Sequence, residues 1–322
     1  MRRTFHELSP EEQIERLEGL ARKALGVYGL EDARLRHITP ATNVLFEVTA
    51  GPGRHYVLRI CESGRDEASL QREMLWLTSL RRFTNLGVPE PIIMQTGAFI
   101  RTVSLEGVPG RRPCMLFQWV TGKAVGVKRT PDHLWRIGRF IGQLHEHGAR
   151  FRWPDEWSPS PWQPPPLVSM ISSELESLGI DPGLIAGYQV SLERLAEDPD
   201  AMGVIHGALR TDHLLFHDDE VRAIDFETCQ VAPFALDLQT VCASLKGRDN
   251  EAAFRDALFA GYASVRPGTL PDDRVFLLLD VADQLATTSE ALNMLHQTPS
   301  DAAHKRFERD LGRLRDQLAQ LD

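Results

Sequence analysis

The chain changes its hydrophobic period partway along, and that change limits the folds open to it. From Ala33 to Ile60, three short β-rich runs, LRHI, VLFEV and HYVLRI, are separated by TPATN and AGPGR, whose Pro, Gly and Asn favour turns. Such runs predict an antiparallel sheet. Ahead of them, Ser9-Pro10-Glu11-Glu12 marks a helix start running to about Gly26, with Ser9 as cap, Pro10 in the first turn and Glu12 reaching back. After them, Asp66 to Phe83 carries Leu70, Met74, Leu77 and Leu80 on one helical face. Further strands are predicted at Ile92 to Met94, Ala98 to Val103 and Cys114 to Trp119. Past Trp119-Val120-Thr121-Gly122 the pattern is helical almost to the end, through Pro131 to His147, Arg274 to His296 and Ala302 to Leu321. One β-rich island interrupts it at 203 to 226. The expected class is α+β, with a sheet-rich part over 1–121 and a helical part over 122–322.

Composition narrows the partners. With 322 residues, 42% of them hydrophobic and 25% charged, the chain can bury a large core and is unlike a disordered or fibrous protein. The net charge is −9, and Lys and Arg are scattered, so no basic stripe exists to bind a nucleic acid. No run of about 18 apolar residues predicts a membrane span. The first residues, MRRTFHELSPEEQIERL, turn polar where an export signal needs an apolar stretch. Cys61, Cys114, Cys229 and Cys242 are far apart and suit a reducing compartment, so the expected location is cytoplasmic. The segment FRWPDEWSPSPWQPPP is an extended crossing or a lid over a cleft, or else a simple packed linker. Its Trp153, Trp157 and Trp162 either line an acceptor pocket or anchor the crossing.

The chemistry concentrates in VIHGALRTDHLLFHDDEVRAID, residues 204–225. Two strands, around Leu214 to Phe216 and Val221 to Ile224, are joined by the turn His217-Asp218-Asp219-Glu220. His206 and His213 lie in the loop before the hairpin, and Asp225 ends it, so loop and strand end are expected to face one cleft. A histidine and a carboxylate placed there are candidate ligands for a phosphate-bound divalent cation. The plainer alternative makes His206 a hydrogen-bonded core residue and Asp225 a turn cap.

The stretch resembles the catalytic core of the aminoglycoside phosphotransferase and choline kinase-like superfamily, usually HGDxxxxN, a hairpin, then IDF or IDW. Here it reads HGALRTDH, a hairpin and Ile224-Asp225-Phe226. TNVLFEV, YVLRI, LQREMLWLTSL, VPEP, GVPGRRPCMLFQWVTGK, IGRFIGQLHEHG, IDFETC and LDL follow the family's order, most like the branch of stress response kinase A and type II homoserine kinase-like proteins. The resemblance implies a protein-kinase-like two-lobed fold, ATP or another nucleoside triphosphate, Mg²⁺, and transfer of the γ-phosphate to a hydroxyl. Within the superfamily that hydroxyl belongs to a small molecule or to Ser or Thr of a protein. By the same resemblance, Arg59 pairs the phosphates, Glu73 orients Arg59, and Thr42 and Asn43 occupy the phosphate-covering turn. The hinge over Met115 to Val120, with Gln118, Trp119 and Val120, meets the adenine; His213 and Asp225 hold the metal. His206 opens the catalytic loop, and Asp237 braces it from behind.

Two positions depart from the family pattern. His213 stands where asparagine is usual, and neutral imidazole also ligates divalent ions. Ala208 stands where the family places its catalytic aspartate, and alanine can neither accept a proton nor orient a nucleophile. Three explanations stay open: an enzyme disabled at one position, a natural pseudokinase that binds nucleotide without transferring phosphate, or altered chemistry with Asp212 as the base.

Overall fold

A computed structural model describes residues 4–38, 43–124, 126, 129–162 and 178–321. The chain divides into two compact units. One comprises Met1–Val125, Arg152–Ser158 and Asp212–Glu227; the other comprises Gly126–Phe151, Pro159–Thr211 and Thr228–Asp322.

The first unit is built on a five-stranded antiparallel sheet: β1 Arg34–Ile38, β2 Val44–Thr49, β3 His55–Ile60, β4 Arg101–Val103 and β5 Arg112–Gln118, in the order β1-β2-β3-β5-β4. Helix α1, Pro10–Leu25, starts on the expected capping box: Ser9 N donates to Glu12 Oε2 at 2.8 Å and Glu12 N to Ser9 Oγ at 3.3 Å. Its Leu17, Leu20, Ala21, Ala24 and Leu25 share a buried core with Phe46, Val48, Leu58, Ile60, Cys114 and Leu116 of the sheet. Strand alternation puts the residues between these on the opposite face, so Arg59, opposite Met115 in the register, turns away from α1. Helix α2, Glu67–Phe83, is capped by Asp66, which accepts from Ala68 N and Ser69 N.

The predicted strand at Ile92 to Met94 does not form. Ile92 N donates to Leu116 O and Gln118 N to Glu90 O, but Met94 N turns to Ala98 O and Gly97 N to Met94 O, a local turn that takes Met94 out of the ladder and leaves one isolated bridge, Pro91 to Phe117. The predicted hairpin does form, as β8 Leu214–His217 and β9 Glu220–Ala223. Asp218 (φ 47°) and Asp219 (φ 66°) are both left-handed, the geometry of a two-residue turn that matches strand twist. This hairpin belongs to the sheet-rich unit, whereas the sequence split at 121/122 assigns it to the helical part. The reason is backbone pairing: β6, Lys123–Ala124, pairs with Phe216 and Leu215, and Ala223 N donates to Gly87 O at 2.9 Å.

The second unit is helical: α3 Pro131–Arg150, α4 Pro182–Glu197, α5 Ala235–Ala243, α6 Glu251–Ala263, α7 Asp273–Gln297 and α8 Asp301–Leu318. A two-stranded ribbon pairs β7, Met202–Ile205, with β10, Gln230–Pro233. Helices α3 and α6 touch through glycine. A Cβ at Gly261 would lie 1.9 Å from Trp135 O, and one at Gly138 would lie 1.9 Å from Leu258 O. Gly261→Ala is therefore expected to lower stability in chemical denaturation by about 1–3 kcal/mol. Gly312→Ala on α8 has open space around it and is expected to be neutral or stabilising, since alanine is the better helix former. Trp153 donates from Nε1 to Arg72 O at 3.1 Å in the first unit, and Trp162 packs beside Ile205 and Phe234 in the second, so both act as anchors. Among the described residues no helix is long and apolar enough to cross a membrane.

Candidate active site

In the first unit, alternation along β3 and the helical period of α2 bring two charges together inside the protein. Arg59 Nη2 donates to Glu73 Oε2, and the residues are 5% and 2% exposed. The guanidinium also lies 5.1 Å from the centre of the Phe117 ring. Burial works against the charge on Arg59, but the adjoining Glu73 carboxylate outweighs it and holds the pKa above the ordinary arginine value. Removing two ions from water is costly, and such a pair often adds no net stability. What it supplies is a fixed cation whose Nε is buried without a partner.

A second contact sits near the end of the hairpin strand. Asn43 Nδ2 donates to Glu227 Oε2, while Asn43 Oδ1 is buried and unpartnered. Arg65 Nη2 stands 3.7 Å from the same Glu227 oxygen. Thr42, predicted beside Asn43, lies outside the described residues. Glu227 therefore holds Asn43 instead of pointing into solvent.

His213 and Asp225 come together in the same unit. Ile224 N donates to His213 O at 3.0 Å, which aligns the loop with the end of β9, and His213 Nε2 stands 3.4 Å from Asp225 Oδ2. Asp225 has φ 69°, a left-handed conformation uncommon outside glycine, and its side chain is 41% exposed. One carboxylate and one imidazole fit a divalent cation that fills its other positions with water and phosphate oxygens. Among the described residues no third His, Cys, Asp or Glu joins them.

At the predicted hinge two backbone donors are already engaged. Gln118 N donates to Glu90 O and Trp119 N to His55 O, both at 2.9 Å, and the Trp119 ring stacks on His55 with centroids 4.4 Å apart. Gln118 Nε2 donates to His55 O as well. Val120 N is the one backbone donor of these three that no described residue engages.

The catalytic-loop motif lies in the second unit and is held by a buried carboxylate. Asp237, near the start of α5, accepts from His206 N at Oδ2 and from Gly207 N at Oδ1, both at 2.9 Å. Gly207 takes φ 83°, and a Cβ there would lie 2.5 Å from Thr228 O. The buried His206 accepts from Ala208 N at Nδ1, 3.3 Å away. Ala208 is half-buried, and its carbonyl accepts from Arg210 N at 2.7 Å.

Behind Asp237 stands a second histidine, carried by α3. His145 of α3 is fully buried, with Nε2 3.1 Å from Asp237 Oδ2 and Nδ1 3.2 Å from Tyr262 Oη. Arg266 Nη1 donates to Tyr262 Oη at 3.0 Å, so the tyrosine proton is directed at Nδ1 and the neutral imidazole donates from Nε2. Burial lowers the His145 pKa against the pull of Asp237. Burial also opposes ionisation of Asp237, but the hydrogen bonds it accepts prevail and hold its pKa below the usual value. The available signal was position: His145 lies four residues after Ile141, on the apolar face of α3.

The sequence profile of the phosphotransferase enzyme family matches residues 38–276. The homoserine kinase of Methylobacterium nodulans is 30% identical over 237 residues, 70% of this chain and 68% of the relative. That of Gluconacetobacter diazotrophicus is 27% identical over 275 residues, 81% and 82% of the two chains. Among solved structures, a microcompartment-associated aminopropanol kinase superposes with a TM-score of 0.66 at 22% identity, covering 94% of this chain and 95% of the other. The amicoumacin kinase hAmiN, in complex with AMP-PNP, Ca²⁺ and Ami, gives 0.69 at 16% identity, covering 95% and 99%. At such identities the structural likeness concerns the fold, the α+β protein-kinase-like class that the sequence predicts.

Proposed function

The chain belongs to the phosphotransferase enzyme family, and from that premise we propose that it is an ATP-dependent phosphotransferase acting on the hydroxyl of a small molecule, with its transfer step impaired at position 208. The observation that carries this reading is the buried Arg59–Glu73 pair with its unpartnered Nε, in the unit that also holds His213 and Asp225. A fixed cation and a divalent-metal pair are what positioning a triphosphate requires, because phosphoryl transfer depends on placement and charge stabilisation. ATP or another nucleoside triphosphate would meet Arg59, Asn43 and the hinge at Gln118, Trp119 and Val120. His213 and Asp225 would hold Mg²⁺, which would supply positive charge against the phosphates. Homoserine kinases among the relatives favour a small hydroxyl acceptor over Ser or Thr of a protein.

Ala208 also supports a second reading, a pseudokinase that binds nucleotide and signals through a partner. Both readings require nucleotide binding. Calorimetric titration with ATP is expected to show saturable, Mg²⁺-dependent binding, weakened about tenfold or more by Asp225→Asn. A chain that binds no nucleoside triphosphate at millimolar concentration, with or without Mg²⁺, would sink both.

A further inference from the structure

Three residues beyond Ala208, Thr211 meets Arg129, one of two arginines whose approach no local sequence pattern announces. Arg129, two residues ahead of α3, donates from Nη2 to Thr211 Oγ1 at 2.7 Å, from Nη1 to Ser244 Oγ at 3.0 Å and from Nε to Gly126 O at 2.9 Å. Arg248 reaches the same serine, donating from Nε to Ser244 O at 3.2 Å. Both are half-buried, and all these residues belong to the second unit.

Each oxygen these two guanidinium groups meet is neutral, a hydroxyl or a carbonyl. Among the described residues neither forms an ion pair, whereas Arg136, Arg255 and Arg306 each face a carboxylate. The acid nearest Arg248 along the helix that follows, Glu251, instead accepts from Gly247 N at 2.7 Å. Burial and the charge of Arg248 both lower the pKa of Arg129, so the two cations feel one another. Like charges gathered on one serine without a counter-ion favour the arrival of an anion, and guanidinium forks match a carboxylate's two oxygens.

We propose that Arg129 and Arg248 anchor a carboxylate of the acceptor, so that the hydroxyl to be phosphorylated belongs to a small hydroxy acid or hydroxy amino acid. The proposal rests on the phosphotransferase reading above and narrows its acceptor. Thr211 is at most about 10 Å of extended chain from Ala208, the scale of such a molecule held at both ends. A polycationic acceptor such as an aminoglycoside would be repelled by the same pair.

The test is a calorimetric titration of the full chain with short hydroxy acids, including L-homoserine, L-threonine and 4-hydroxybutyrate. It is set against 3-amino-1-propanol, which is homoserine without the carboxylate, and against kanamycin and inorganic phosphate. A hydroxy acid is expected to bind at least about tenfold more tightly than the amino alcohol, and Arg248→Met and Arg129→Met are expected to erase that preference. ATP affinity and the thermal midpoint of Arg248→Met should stay at parental values; Arg129→Met also loses a bond to the loop, so Arg248→Met decides. The assignment is overturned if no hydroxy acid binds, if the preference survives both variants, if kanamycin binds more tightly, or if phosphate alone depends on the pair. Transfer by Ala208→Asp to the amino alcohol but to no acid would overturn it while leaving the phosphotransferase reading intact. Loss of nucleotide binding would sink that reading without touching the carboxylate result.

Discussion

Ala208→Asp is expected to raise transfer of the ATP γ-phosphate to a small hydroxyl acceptor by about 10² to 10⁴-fold, the usual worth of a positioned general base. The backbone that would present the new carboxylate is already fixed, because Asp237 holds the two preceding N–H groups and His206 Nδ1 holds that of residue 208. Position 208 is only half-buried, so a carboxylate there keeps part of its solvation. The measurement is transfer of labelled phosphate across a panel of amino alcohols and hydroxy acids. Ala208→Asn is the control: it has nearly the same shape but cannot take a proton, and its rate should stay at the alanine level. If the aspartate variant binds ATP and transfers to nothing, the chain is a nucleotide-binding protein and the phosphotransferase proposal fails.

Asp237→Ala is expected to lower unfolding free energy by about 3–5 kcal/mol, the range for removing one partner from a buried charged network. Three donors, the His206 and Gly207 backbone N–H groups and His145 Nε2, would be left buried without their acceptor. Asp237→Asn should lose less than alanine, because its carbonyl oxygen still serves one donor while its amide opposes another. Urea denaturation followed by circular dichroism reads both, and a loss below about 1 kcal/mol for alanine would contradict the network. The same residues give stability a pH dependence of defined sign. His145 has a lowered pKa in the fold, so below about pH 6.5 the unfolded chain takes up a proton that the folded chain refuses. Asp237 also has a lowered pKa; its contribution is complete above about pH 4 and disappears as the pH falls through its folded value. Stability should therefore decline on acidification from pH 7, at up to about 1.4 kcal/mol per pH unit for each such proton. His145→Gln should flatten the upper part of the curve.

The features legible in the sequence are those fixed by neighbours along the chain. The capping box at Ser9, the apolar face of α2, and the hairpin at Leu214 to Ala223 with its Asp-Asp turn each follow from a few adjacent residues. Arg59 and Glu73 became legible through motif order, and the fold carries both on the elements where the motifs place them. The features that escaped depend on distant partners. Strand β10 is four residues ending in proline, and its partner β7 lies some 25 positions earlier, so no local period marks it. Arg129 and Arg248 meet through Ser244 only after α3, β7 and α5 are in place. His145 reads as one more polar residue at a helix end until Asp237 and Tyr262 reach it from α5 and α6. The strand expected at Ile92 had the right apolar residues, but Met94 bonds Ala98 and Gly97 in a local turn instead of a neighbouring strand.

The chain passes between its two compact units five times, and the hairpin with His213 and Asp225 rejoins the first unit only after residue 211. In topological terms neither unit is a segment. A fragment ending at residue 125 would keep Arg59, Glu73 and the whole five-stranded sheet, yet lack His213, Asp225 and the Glu227 that holds Asn43. A cut between residues 125 and 212 therefore separates residues that share one unit, and the residues of the candidate site stay on one piece only while the chain is whole.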